Sequence, residues 1–220
     1  MKIPLRVKIP LRADQPPPRK LSAELADLRD RSARGALTLR EVIYTLHGRA
    51  YMLLVLLLAL PFITPIPLPG LSTPFGLAIM LIALRLSLGQ RPWLPMKLQR
   101  KELPPGFFAR VFAFAEKVLR IFEKFLRPRL TFLSDTPFLV QLHALLMLTA
   151  ALALLLPLPI PFTNSFPAWT ILLLAAGLLE RDGLFILGGY LVFIAGVFYF
   201  IFLGEATAAL LHELGQWLKS

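Results

Sequence analysis

Two small polar clusters interrupt an otherwise greasy chain, and their residue types suit the holding of a polar or anionic group. The first is Ser72 and Thr73, directly before Pro74; the second is Thr163, Asn164 and Ser165, two residues before Pro167. Each places hydroxyls, and once an amide, where a proline can open a helix. The free amides and positive dipole end of such a helix attract anions and sugar oxygens. The same side chains also suit plain helix capping, so the residue types alone leave both roles open. Four charged residues join them as candidates for gating or substrate contact. Arg85 breaks the apolar run 81–88, and Glu180, Arg181 and Asp182 end the apolar run that follows the second cluster. Charge inside an apolar segment is a functional signal by default, although long side chains near helix ends also reach back to water. The run Glu180-Arg181-Asp182-Gly183 has the composition of a tight turn.

Both clusters follow the same proline phrase. Pro65-Ile66-Pro67-Leu68-Pro69, then Gly70, returns 92 positions later as Pro157-Leu158-Pro159-Ile160-Pro161. A proline ring fixes φ and removes a donor, so neither phrase lies inside a continuous helix. Broken helix at membrane depth needs protein or trapped water to satisfy the freed backbone. Paired breaks in two halves of a chain therefore point to a substrate or gating centre made from both, with the phrase prolines and Gly70 among its residues.

The surrounding composition explains why a membrane enters the argument. Of 220 residues, 56% are hydrophobic, with 17 Phe, and the mean hydropathy is +0.67. That is too much apolar surface for a soluble domain of this size to hide. The net charge is +11 and the isoelectric point near 10.6. No basic module with interleaved aromatics accompanies the charge, so nucleic acid is not the expected partner. Eleven of the 24 Lys and Arg lie between Lys2 and Arg49, eleven between Arg85 and Arg129. The positive-inside rule places both clusters, and the N-terminus, on the cytoplasmic face, against anionic lipid headgroups.

The expected fold is an all-α, multi-pass integral membrane protein. Residues 1–20 read as a basic flexible arm containing Pro16-Pro17-Pro18, which favours extended geometry. Residues 21–203 form one membrane domain. Its first repeat spans about 38–90, opened by a capping box at Thr38 and Glu41. An amphipathic helix over about 104–127 carries too much charge to cross and should lie in the interface or pack as a lid. The second repeat spans about 138–183. The apolar arms are short against the roughly 20 residues a crossing needs, so the hairpins are either re-entrant or short tilted spans, with re-entrant geometry favoured. A transmembrane helix follows at 184–203. Gly188, Gly189 and Gly196 suit close helix approach there, within the chain or in a homo-oligomer. Residues 204–220 form an amphipathic tail. With both basic clusters on one side, each hairpin enters and leaves on that side, which makes the duplication parallel.

No nucleophile beside a base, no carboxylate pair and no phosphate-binding glycine loop occurs, so no enzyme and no cofactor are expected. His47, His143 and His212 lack metal-ligand spacing, and there is no cysteine.

Several strings resemble the ExoD family of bacterial membrane proteins: Leu60 to Gly76, Gly89-Gln90-Arg91-Pro92-Trp93-Leu94-Pro95, Pro157 to Asn164, and Leu178 to Gly183. They occur in the family's order and span about residues 20–203. The resemblance implies a bacterial inner-membrane protein that supports exopolysaccharide synthesis; it implies no catalytic residue. Pro65-Ile66-Pro67 and Gly70 are also similar to the re-entrant loops of DedA-type transporters. The acidic residue that follows the phrase in those proteins has no counterpart here, so that similarity is one of architecture.

Two functions meet these expectations. One is transporter-like binding or translocation of a polar, anionic or lipid-linked substrate between the repeats, which calls for a cavity lined by both proline loops and holding Arg85 or Glu180. The other is a scaffold that organises polysaccharide-synthesis enzymes, which calls for a packed centre and an exposed apolar side. Single cysteines at positions 15, 115 and 219 of this cysteine-free chain test the arrangement. Residues 15 and 115 are expected to resist labelling from outside, and external labelling of residue 115 would overturn it.

Overall fold

The computed structural model describes residues 21–34, 49–63, 72–90, 113, 115–118, 120, 124–156 and 160–217. Pro65, Pro67, Pro69, Gly70, Pro157 and Pro159, the capping box at Thr38 and the basic arm lie outside those residues. The described residues are helical apart from turns and one isolated backbone bridge, Arg129 to Asp182. The helices are α1 (Leu21–Arg34), α2 (Arg49–Ala59), α3 (Ser72–Ser87), α4 (Phe132–Asp135), α5 (Pro137–Leu154), α6 (Ser165–Glu180) and α7 (Gly183–Trp217). Helical residues between 113 and 125 mark the charged amphipathic segment.

Local sequence explains most of the boundaries. Pro61 tightens the end of α2 into a 3-10 turn over Leu60–Phe62. Gly89 follows α3 in a left-handed conformation, φ +66°, which glycine adopts without strain. Pro137 occupies the first turn of α5, where its missing N–H costs nothing. Starting there makes α5 18 residues long, so the second hairpin has one arm longer than the sequence pattern suggests.

Helices α2, α3, α5 and α6 form a four-helix bundle. α2 packs on α6 and α3 on α5, while α2 meets α3 and α5 meets α6 within the hairpins. The two hairpins point the same way. A Cβ on Gly76, near the start of α3, would lie 3.2 Å from Leu155, at the end of α5. At the other end of the bundle, Gly89 sits against Gln141 in the first turns of α5. Phe62 and Phe75 stack edge to face at 5.8 Å across the first break. The ends of α2 and α5 and the starts of α3 and α6 therefore gather at one end, here the loop end.

α6 is the centre of this arrangement. Twelve of its sixteen residues are buried, because α2, α5 and α7 all pack against it. A helix apolar on all sides must be buried in protein or in lipid. α6 takes the first course, while α7 is left largely uncovered by the rest of the described chain. Over Gly183–Ala206 only 17% of α7 is buried, and Leu191, Phe198 and Phe202 are each about two-thirds exposed. α7 runs unbroken through the expected boundary at residue 203, since nothing between Leu184 and Trp217 is a proline. At 1.5 Å per residue its length is about 52 Å, well beyond a hydrocarbon core of about 30 Å. Pro137–Leu154 and Gly183–Ala206 are long and apolar enough to cross a membrane; α2, α3 and α6 are shorter apolar helices.

Glycines let α7 lie close on α6. Gly189 packs against Leu174, Gly196 against Phe166 and, from the α6 side, Gly177 against Ile186; Gly188 faces open space by comparison. A Cβ at Gly177 would lie 2.7 Å from Ile186 and 2.9 Å from the Asp182 carbonyl. Gly177→Val is therefore expected to cost about 1–3 kcal/mol by overpacking. Gly188→Ala, with only Leu173 at 3.9 Å, is expected to be neutral or slightly stabilising. Thermal unfolding in detergent separates the two, and equal losses would refute this packing.

Candidate functional site

The loop end gathers the last residues of α2 and α5 and the first of α3 and α6. Two aromatic side chains close it. The Trp169 indole N–H donates to the Ile63 carbonyl at 3.1 Å, so α6, just past its first turn, holds the end of the first hairpin's descending arm. The Tyr199 hydroxyl donates to the Pro161 carbonyl at 2.6 Å and ties the second proline loop to α7. Phe166 packs on the Tyr199 ring at 5.2 Å. Tyr199 lies 16 residues up α7 from Gly183, which sets Pro161 about 24 Å from the other end of the bundle.

The second polar cluster behaves differently from simple caps. Thr163 is buried and its hydroxyl bonds the Ile160 carbonyl at 2.7 Å. Ser165 is buried in the first turn of α6. Asn164 sits at the N-cap position but makes no side-chain cap bond. Its Oδ1 is shielded from solvent and accepts no hydrogen bond among the described residues. Phe162, two residues earlier, has φ +68°, a left-handed conformation that is strained for a bulky side chain and is concentrated at working sites. In the first cluster Ser72 is buried and Thr73 exposed.

The charged candidates lie at the opposite end. Arg85 is in the last turn of α3, and Glu180, Arg181 and Asp182 close α6. The composition of a tight turn is matched by the structure. Arg181 ends α6 in the left-handed conformation, φ 60° and ψ 36°, and pairs with Asp135 through its Nε at 3.0 Å and an Nη contact. Asp182 is fully buried. It accepts the Leu184 N–H at 3.0 Å, capping α7, and the Arg127 N–H at 2.9 Å. The Arg129 carbonyl accepts from the Gly183 N–H at 2.7 Å. The turn thus fastens the end of the amphipathic segment to the bundle. The structure brings the two halves of the candidate set to ends about 24 Å apart, the length of α6.

Residues absent from the candidate set carry much of the polar structure. His143 is buried between α5 and α7, its Nε2 2.8 Å from the Leu133 carbonyl and its Nδ1 2.7 Å from the Tyr190 hydroxyl. The carbonyl can only accept, so Nε2 carries the proton and Nδ1 accepts from Tyr190. Both nitrogens are used. Buried Glu116 binds Arg29 at 2.8 Å and also Arg120, docking α1 on the amphipathic segment, with Leu25, Leu28 and Ala115 buried beside it. Lys117, Arg120, Lys124, Arg127 and Arg129 stay exposed. The only sequence signal for Trp169, Tyr190 and Tyr199 is a polar tip on an aromatic within an apolar helix, which needs a partner when buried. Among the described residues, no group of three or more His, Asp or Glu is placed to hold a metal ion.

Comparison with known proteins adds a family. Residues 21–202 match the family described as "Exopolysaccharide synthesis, ExoD". The chain is similar to Protein ExoD of Rhizobium meliloti (strain 1021), 35% identical over 86% of this chain and 80% of that one. It is also similar to an uncharacterized protein of Synechocystis sp., 31% identical over 91% of this chain and 96% of the relative. No solved structure matches.

Trp169→Phe keeps the ring and removes the donor to Ile63, with an expected cost of about 1 kcal/mol. A cysteine placed at position 63 should then be alkylated faster than in the Trp169 background. An unchanged rate would show that the indole bond does not hold the first loop.

Proposed function

Because the chain belongs to the ExoD family, which is linked to exopolysaccharide synthesis, we propose that it supports that synthesis by binding a polar, anionic or lipid-linked substrate at the loop end of the bundle. One observation carries the reading. The end of the first hairpin's descending arm is tied to α6 by the Trp169 bond to Ile63, and at the start of α6 the Asn164 Oδ1 is shielded from solvent with no hydrogen-bond donor among the described residues. A buried acceptor without a partner costs about 1–3 kcal/mol, and a substrate hydroxyl or amide would relieve it. The strained Phe162 backbone supports the same location. The like orientation of the hairpins and their cyclic packing, α2 on α6 and α3 on α5, are what a parallel duplication with a two-fold axis along the bundle would produce.

Binding is better supported than passage. The centre, α6 above all, is packed with apolar side chains, and Arg85 and Glu180 stand at the far end from the loops. Translocation would require α6 to move against three neighbours. The packed centre and exposed apolar flank also favour the scaffold reading, in which the exposed basic residues 117–129 meet anionic lipid headgroups or polysaccharide-synthesis enzymes. In both readings the protein is an inner-membrane protein of bacteria with α5 and α7 crossing, and the basic end and N-terminus cytoplasmic.

In a host strain lacking its own copy of the gene, Asn164→Ala is expected to abolish complementation of exopolysaccharide production while the protein still accumulates in the membrane, whereas Arg85→Ala, at the far end of the bundle, is expected to retain it. Normal production by Asn164→Ala would remove the site proposal. Binding and flux in proteoliposomes with lipid-linked sugars then separate a binding protein from a carrier, and absence of both leaves the scaffold.

A further inference from the structure

We propose that the groove between α5, α6 and α7 is a binding site for one acyl chain of a bilayer lipid. The proposal goes beyond the loop-end reading and rests only on α5 and α7 lying in a membrane. α7 packs along α6 and only slightly on α5, and the space left is a groove of about 320 Å³. Thr149 and Ala153 of α5, Phe166 and Thr170 of α6, and Gly196 and Phe200 of α7 are among its walls.

The chemistry of the walls selects the occupant. The Thr149 hydroxyl donates to the Leu145 carbonyl at 3.0 Å and the Thr170 hydroxyl to the Phe166 carbonyl at 2.9 Å, so both donors in the groove are spent on their own helices. Water needs two to four polar partners and would find few here. A sugar or phosphate would be stripped of hydration with little in return. The volume is near the bottom of the range of about 300–1,000 Å³ typical of ligand pockets. That admits a single extended chain and is too small for a helix about 10–12 Å across. The groove is also continuous with the exposed surface of the two membrane-length helices, where Leu145 and Leu152 of α5 and Val197 and Ile201 of α7 form its surroundings. Hydrocarbon is the solvent of that surface. A chain lying in the groove gains contact with Phe166 and Phe200 on flanks that lipid outside cannot reach together.

Small residues keep the groove open. Gly196 approaches Phe166 so closely that an added Cβ would lie at 3.1 Å, and Ala153 occupies a position where a larger side chain would project into the space. The full chain in nanodiscs containing phosphatidylglycerol with a diazirine in its acyl tail tests the proposal. After irradiation and digestion, adducts are expected to concentrate on the peptides carrying residues 149–153 and 193–201, above those on the outward positions Leu184 and Leu191. Ala153→Phe should remove most of the groove adducts and leave those at Leu191 unchanged. Thr149→Phe, at an exposed lip, makes the same test if Ala153→Phe fails to accumulate. Adducts spread evenly along α7 and indifferent to both variants would overturn the proposal, as would crosslinking of a second protein chain into the groove in place of lipid. Either result would be independent of the Asn164 and Arg85 complementation assays.

Discussion

A backbone broken by proline in apolar surroundings must find its hydrogen-bond partners inside the protein, and the rest of this structure is arranged around that requirement. Trp169 reaches the Ile63 carbonyl and Tyr199 reaches the Pro161 carbonyl. Each donor comes from a helix that the broken segment itself does not contain. Ile63 and Pro161, at the edges of the two breaks, are therefore held only when α6 and α7 are in place. α6 is the common member: Trp169 lies just past its first turn, its middle is buried by three helices, and its last residues lead into the Arg181–Asp182 turn.

The two ends of the bundle solve the same problem with different chemistry. At the loop end, neutral aromatic donors meet carbonyls and no charge has to be desolvated. At the other end, Asp182 is buried but accepts two backbone N–H groups, and Glu116 is buried between two guanidinium groups. A buried carboxylate is tolerable only with such partners. Arg181 and Asp135 are partly exposed, so their pair contributes modestly and serves more to orient the turn. Hydroxyls, an amide and aromatics thus gather near the loop end, while the charged turn stands about 24 Å away.

The groove beside α6 belongs to neither end. It follows from the same glycines that let α7 close on α6, because a helix pulled tightly onto one neighbour stands off from the next. Gly189 and Gly196 bring the helices together, and the space toward α5 is what remains. Packing and cavity are here two results of one set of contacts.

Much of the architecture was legible in the linear chain. Prolines and glycines act locally, so the breaks at Pro61 and Pro74, the stop at Gly89 and the turn at residues 180–183 could be read where they stand. The apolar runs, the charge distribution and the family strings were equally local signals, and they yielded a helical membrane protein linked to exopolysaccharide synthesis. Only the tertiary structure decided which helix is enclosed. α6 and α7 are alike in composition, and nothing but packing distinguishes a helix apolar all round that faces protein from one that faces outward. It likewise decided that Arg85 and Glu180 stand apart from the proline loops, that His143 is consumed by Leu133 and Tyr190, and that Trp169 and Tyr199 hold the breaks. The Trp169, Tyr190 and Tyr199 pairings join residues 38 to 106 positions apart, and a partner at that distance leaves no mark on the local pattern.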